Sequence, residues 1–79
     1  MSEIKENLLS RISSNPEVCG GRPCIKNTRI RVSDIIDMLS ENVSKEDILV
    51  DFPMLKLEDI NAALKYASIS VGHSVLNAA

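Results

Sequence analysis

Thirteen consecutive residues, Gly20 to Val32, read Gly-Gly-Arg-Pro-Cys-Ile-Lys-Asn-Thr-Arg-Ile-Arg-Val and constrain the fold more than any other stretch of the chain. Gly20 and Gly21 admit backbone angles that other residues avoid, and Pro23 fixes the next φ, so a rigid bend is expected here. From Cys24 the pattern becomes strand-like: Ile30 and Val32 alternate with Arg29 and Arg31 across a Lys26-Asn27-Thr28 turn. Period two predicts a small β-hairpin with Ile30 and Val32 toward the core and both arginines toward solvent. Asn27 suits the turn because its short polar side chain tolerates left-handed angles.

The same run segregates charge. Arg22, Lys26, Arg29 and Arg31 meet no acid between Val18 and Ser33, a local charge of +4 in a chain whose net charge is −2. From Asp34 to Asp59 the balance reverses, with eight acids against Lys45 and Lys56, or 2 − 8 = −6.

Seventy-nine residues make one domain, and a chain of that size buries only about 60% of its unfolded surface, so a single small core is expected. Hydrophobic residues are 44% of the chain and aromatics only 3%, which leaves packing to Leu, Ile, Val and Ala. No stretch approaches the roughly 18 apolar residues of a membrane span, and the start, MSEIKENLLSRI, mixes acids and bases unlike a signal peptide, so a cytoplasmic protein is expected. Cys19 and Cys24 could form at most one disulfide, which is no scaffold, and reduced thiols are the default. With His73 they make three potential ligands where a structural zinc site takes four, so neither a metal nor another cofactor is expected.

Ile4, Leu8 and Ile12 recur every four residues and predict a short N-terminal helix, broken by Ser13-Ser14-Asn15-Pro16. Ser33 is the expected cap of a helix from about Asp34 to Glu41, with Ile35, Ile36 and Leu39 as its apolar stripe. Asn42 takes the place usually given to glycine at a helix end. Ser44 with Asp47 resembles a capping box opening a helix over roughly Lys45 to Asp51, which Pro53 ends. Leu57, Ile60, Ala63, Leu64, Ala67 and Val71 fit a 3.6-residue period and predict a third, longest helix. The organisation is then an N-terminal segment (1–17), a loop and hairpin (18–33), a three-helix unit (34–71) and a flexible tail (72–79). Three helices with connections of three to five residues fit a helix-turn-helix unit better than an up-and-down bundle.

The segments RISSNPEVCGGRPCIKNTRIRV and ILVDFPMLKLEDINAALKYA together resemble the prokaryotic family catalogued as domain of unknown function 433, over about Arg11 to Ala67. The resemblance implies a mainly α, homeodomain-like three-helix fold with an N-terminal hairpin. For many members it also implies the antitoxin role in a type II toxin-antitoxin pair, with a PIN-like nuclease as the toxin. Three positions depart from the family pattern: Asn27 and Asn42 replace glycines, and Lys56 replaces the Thr or Ser that would cap the third helix. Lysine cannot accept the free N–H groups there, a loss of roughly 1 kcal/mol that Glu58 and Asp59 partly offset through the helix dipole.

DNA binding needs side chains that neutralise phosphate and others that reach base edges. The hairpin cations Arg22, Lys26, Arg29 and Arg31 are the better candidates, and a homodimer would present them twice. The third helix adds Asn61 and Lys65 among the expected exposed positions Glu58, Asp59, Asn61, Lys65 and Ser68, of which two are acids. Arg29 and Arg31 could instead pair with Asp34, Asp37 or Glu17 at the surface. A second functional class is a protein-interaction module without DNA, using the acidic face around Asp34, Asp37, Glu41, Glu46, Asp47 and Asp51 or the tail. An enzyme is the least expected class, since His73 stands alone, neither cysteine has a paired base and no phosphate-cradling glycine loop is present.

Overall fold

Among the described residues, four carry the left-handed backbone angles that the bends require: Gly20 (φ 65°), Gly21 (φ 81°), Asn27 (φ 65°) and Asn42 (φ 68°). Both asparagines therefore stand where the backbone favours glycine and hold that conformation themselves. The computed structural model describes residues 6–15, 17 and 19–78, with side chains described for 8–15, 17 and 20–72.

Residues Glu6–Arg11 form a 3-10 helix, followed by strand β1, Ile12–Ser13. Ile4, the first residue of the expected N-terminal helix, lies outside the described residues. Ile12 leaves the helix because its backbone pairs with β2, Cys24–Ile25, in an antiparallel register of Ile12 with Ile25 and Ser13 with Cys24. This pairing is not the one read from the alternation, which puts the partner of Cys24–Ile25 after the Lys26-Asn27-Thr28 turn. The Arg29-Ile30-Arg31 arm folds back on β2 through a single bridge, Cys24 with Arg31, and the Ile25 N–H donates to the Ile30 carbonyl at 2.9 Å. Between them Thr28 closes the turn: its N–H and its Oγ1 both donate to the Ile25 carbonyl, at 3.1 and 2.8 Å. The alternation still sorts the side chains, with Val32 buried, Ile30 half-buried and both arginines exposed.

Helix α1 spans Val32–Ser40, starting two residues earlier than Ser33 capping would give. Arg31 is the N-cap, and it has no acceptor with which to cap by its side chain. The stabilising contact runs the other way, from the Arg31 N–H to Asp34 Oδ2 at 3.3 Å. At the other end Val43 N–H donates to the Met38 carbonyl (3.0 Å) and Asn42 N–H to the Leu39 carbonyl (3.1 Å), a Schellman closure built on left-handed Asn42. Helix α2, Lys45–Asp51, is capped as expected by Ser44, whose Oγ accepts from the Asp47 N–H at 3.1 Å.

Helix α3, Leu57–Ala78, is the longest and continues through residues 72–78, expected as tail. It packs against both α1 and the Glu6–Arg11 turn. Ile25, Val32, Ile35, Ile48, Leu55, Ile60 and Ala63 form one core that draws on the hairpin and all three helices. The fold is thus mainly α, three helices with a small antiparallel hairpin near the N-terminus.

The buried face of α3 is turned relative to the expected one. Ile60 and Ala63 are buried as predicted, but so are Ala62 and Asp59, whereas Leu57, Leu64 and Val71 are 46%, 38% and 56% exposed. Two small alanines let the helix approach its neighbours closely. An acid enters that face because both of its oxygens are satisfied there.

Candidate nucleic-acid interface

The satisfied acid organises the site. Asp59 Oδ2 accepts from the Lys56 N–H at 2.9 Å, and its Oδ1 accepts from Arg11 Nη1 at 3.0 Å across 48 residues of sequence. Asp59 thereby supplies the N3 half of a capping box, holding the N-cap N–H of residue 56, while its own N–H donates to the Lys56 carbonyl at 2.9 Å. The expectation that Asp59 is exposed and repels phosphate is corrected by this pairing: its charge is buried and matched by Arg11.

Arg11 also holds the basic turn. Its carbonyl accepts from the Lys26 N–H at 2.9 Å, which sets Lys26-Asn27-Thr28 beside the start of α3. Two concave surfaces flank that turn and share its three residues. One, of about 440 Å³, includes Ser13, Asn15, Lys26, Asn27, Thr28 and Arg29. The other, of about 350 Å³, includes Ser10, Arg11, Lys26, Asn27, Met54, Lys56 and Asp59. Lys26 therefore faces both, with Arg29 on one side and Lys56 on the other.

Arg22 is set apart. It lines a third groove of about 340 Å³ between α1 and α3, mostly apolar, with Pro23, Val32, Ile36, Asp37, Tyr66 and Val71. Arg31, at the head of α1, lines none of the three. Among the described residues no carboxylate lies within salt-bridge distance of Arg22, Lys26, Arg29, Arg31 or Lys56, so the surface pairing weighed for Arg29 and Arg31 is absent there. Exposed cations without acidic partners keep their full charge for an incoming anion.

On α3 the two sequence candidates part ways. Lys65 is exposed, while Asn61 is half-buried and its Oδ1 accepts from Lys45 Nζ at 3.1 Å, which joins α2 to α3. That bond occupies the carbonyl oxygen with which an asparagine reads an adenine edge. Cys24 is buried with Sγ 3.8 Å from the Thr28 carbonyl oxygen, and it helps seat the turn. The side chains of Cys19 and His73 lie outside the described residues.

Sequence reasoning missed Arg11 and Lys56 as members of this patch. Arg11 carries no local signal, because its partner is 48 residues away. Lys56 carries a partial one: Lys56-Leu57-Glu58-Asp59 places an acid at N3, the half of a capping box that needs no hydroxyl at the N-cap.

Among the described residues no helix is long and apolar enough to cross a membrane. The chain is similar to the protein y4eO of Sinorhizobium fredii, described as uncharacterized, at 34% identity over 56 residues, or 71% of this chain and 25% of that protein. It thus spans about a quarter of that relative's length. It is also similar to a crystal structure of a DUF433 member from Anabaena variabilis, at 32% identity and a TM-score of 0.69, covering 82% of this chain and 64% of that one. The family model described as protein of unknown function (DUF433) matches residues 12–67, from the first strand through the buried part of α3, and the chain belongs to that family.

Proposed function

We propose that this chain is a DNA-binding, antitoxin-like module that binds its own operator as a homodimer and neutralises a PIN-like nuclease toxin. The observation that carries the DNA part is the exposed basic turn, with Lys26 and Arg29 in one cleft and no acidic partner among the described residues. Neutralisation of Asp59 by Arg11 supports it further, by removing one of the two acids from the start of α3. Leu57, Leu64 and Val71 recur every seven residues and are exposed, the spacing of a two-helix seam, which supports self-association of two copies along α3. The toxin part rests on the family resemblance.

The test is fluorescence anisotropy of the purified chain with duplex DNA from immediately upstream of its coding region, against a scrambled duplex, at two salt concentrations. Preferential binding that weakens with salt supports the operator reading. Arg29→Ala with Arg31→Ala should then flatten the dependence of log K on log salt by about 2 per bound protomer if both contact phosphate. No preference up to high micromolar protein refutes operator recognition, and no binding to either duplex refutes DNA binding by this chain and leaves the interaction module without DNA.

A further inference from the structure

The cations read from the sequence form one run, Arg22 to Arg31, but in three dimensions they divide. The groove that Arg22 lines shares no residue with the two clefts around the Lys26-Asn27-Thr28 turn. The turn instead gains a cation from a distant part of the sequence, Lys56, which lines the same cleft as Lys26. Lys56 looks structural in the sequence, as a defective cap. In the fold residue 56 takes part in the helix start through its backbone N–H, which donates to Asp59, and its side chain is exposed and makes no hydrogen bond or salt bridge among the described residues.

Local charge decides what this cleft favours. Arg11 and Asp59 cancel each other at 3.0 Å, and Glu58, the nearest remaining acid in sequence, lines neither cleft. Lys56 and Lys26 are left as the uncompensated charges of one cleft, and Lys26 and Arg29 as those of the other. Around them stand neutral polar groups: Ser10, Ser13, Asn15 and the Asn27 amide. A cleft of cations and neutral polar groups fits the phosphodiester backbone, whose oxygens accept from ammonium, guanidinium, hydroxyl and amide groups alike.

Resting on the DNA-binding reading above, we propose that Lys56 is a phosphate-contacting residue. The Lys26 turn sits against the backbone of one strand, with Arg29 on one flank and Lys56 on the other, and Arg22 lies outside this contact. Each such contact releases counterions, contributing about 0.9 to the slope of log K against log salt per bound protomer.

The experiment measures that slope for the full chain on the upstream duplex, comparing Lys56→Gln, Lys26→Gln and Arg22→Gln with the unsubstituted protein. Lys56→Gln and Lys26→Gln are each expected to lower the slope by about 0.9 per protomer, with Arg22→Gln unchanged. Thermal unfolding of Lys56→Gln should match the parent, because the α3 cap uses the backbone N–H of residue 56 and not its side chain. A parental slope in Lys56→Gln together with a lowered one in Lys26→Gln overturns the inference and leaves DNA binding standing. An equal drop in Arg22→Gln overturns the division of the cations. A parent chain that binds no duplex overturns the DNA-binding reading and the inference with it.

Discussion

Replacing Asp59 with alanine isolates the contact that ties the N-terminal segment to α3. The sequence alone makes Asp59 an exposed first-turn acid, for which substitution changes stability by no more than about 0.5 kcal/mol. In the structure its side chain is 9% exposed and both oxygens are engaged. Loss of the bond to the Lys56 N–H removes the cap, worth about 1 kcal/mol. Loss of the charge-assisted bond to Arg11 removes about 1 to 2 kcal/mol, the lower part of the usual range because the arginine side chain is 37% exposed and water recovers some of its hydration. The sum is about 2 to 3 kcal/mol. A domain of this size has about 4 to 12 kcal/mol in total, so the variant should fold but unfold far more easily.

Urea denaturation followed by circular dichroism reads this directly. With m near 1 kcal/mol/M for so small a domain, the midpoint should fall by about 2 to 3 M, and the melting temperature by about 10 to 20 °C. Asp59→Asn, which keeps one acceptor oxygen and loses the charge, should recover about half of the loss. A double-mutant cycle with Arg11→Met should give a coupling of about 1 kcal/mol. A loss below about 0.5 kcal/mol in Asp59→Ala, or zero coupling in the cycle, would refute the buried-pair account.

Other substitutions test the remaining joints. Ser44→Ala removes the acceptor for the Asp47 N–H and should lower stability by about 1 kcal/mol at constant m, with an unchanged midpoint counting against the cap. Asn27→Ala places a Cβ residue without a polar side chain at φ 65° and should lose about 1 kcal/mol, whereas Asn27→Gly should be neutral or better; equal effects in denaturation would show that the angle is not the determinant. Ile60→Ala, at a fully buried position, should lose about 2 to 5 kcal/mol, while Leu57→Gln, at a residue 46% exposed, should stay within about 0.5 kcal/mol in dilute monomer. Reversed sensitivities would mean that α3 buries the face its heptad spacing suggests.

The parts of the fold readable from sequence are those governed by neighbours along the chain. Ser44 and Asp47 are three residues apart, and so the cap of α2 and its bounds at Lys45 and Asp51 follow from local hydrogen bonding. Asn27 and Asn42 are readable for the same reason, since a left-handed angle is a property of one residue and its turn. The start of α1 was not readable in this way. Ser33 is the better local cap, yet the Val32 N–H donates to the Pro23 carbonyl and the Cys24–Arg31 bridge places the first helical turn at Val32.

The candidate site divides along the same line. Its charge was visible as a run of cations without acids, and exposure of Arg29 and Arg31 follows from strand alternation. Which cations stand together was not visible, because Arg22 and Lys56 are sorted by packing between segments far apart in sequence. The facing of α3 shows why most plainly. Its periodicity offers two apolar stripes, one through Ile60 and Ala63 and one through Leu57, Leu64 and Val71, and spacing alone does not rank them. By itself the sequence determined that there are three helices, where the cap of α2 and the left-handed turns at Asn27 and Asn42 lie, and that positive charge gathers at the hairpin. Only the tertiary structure decided which stripe of α3 is buried and which cations share a surface, because the Arg11–Asp59 pair joins residues 48 apart and no local energy term contains it.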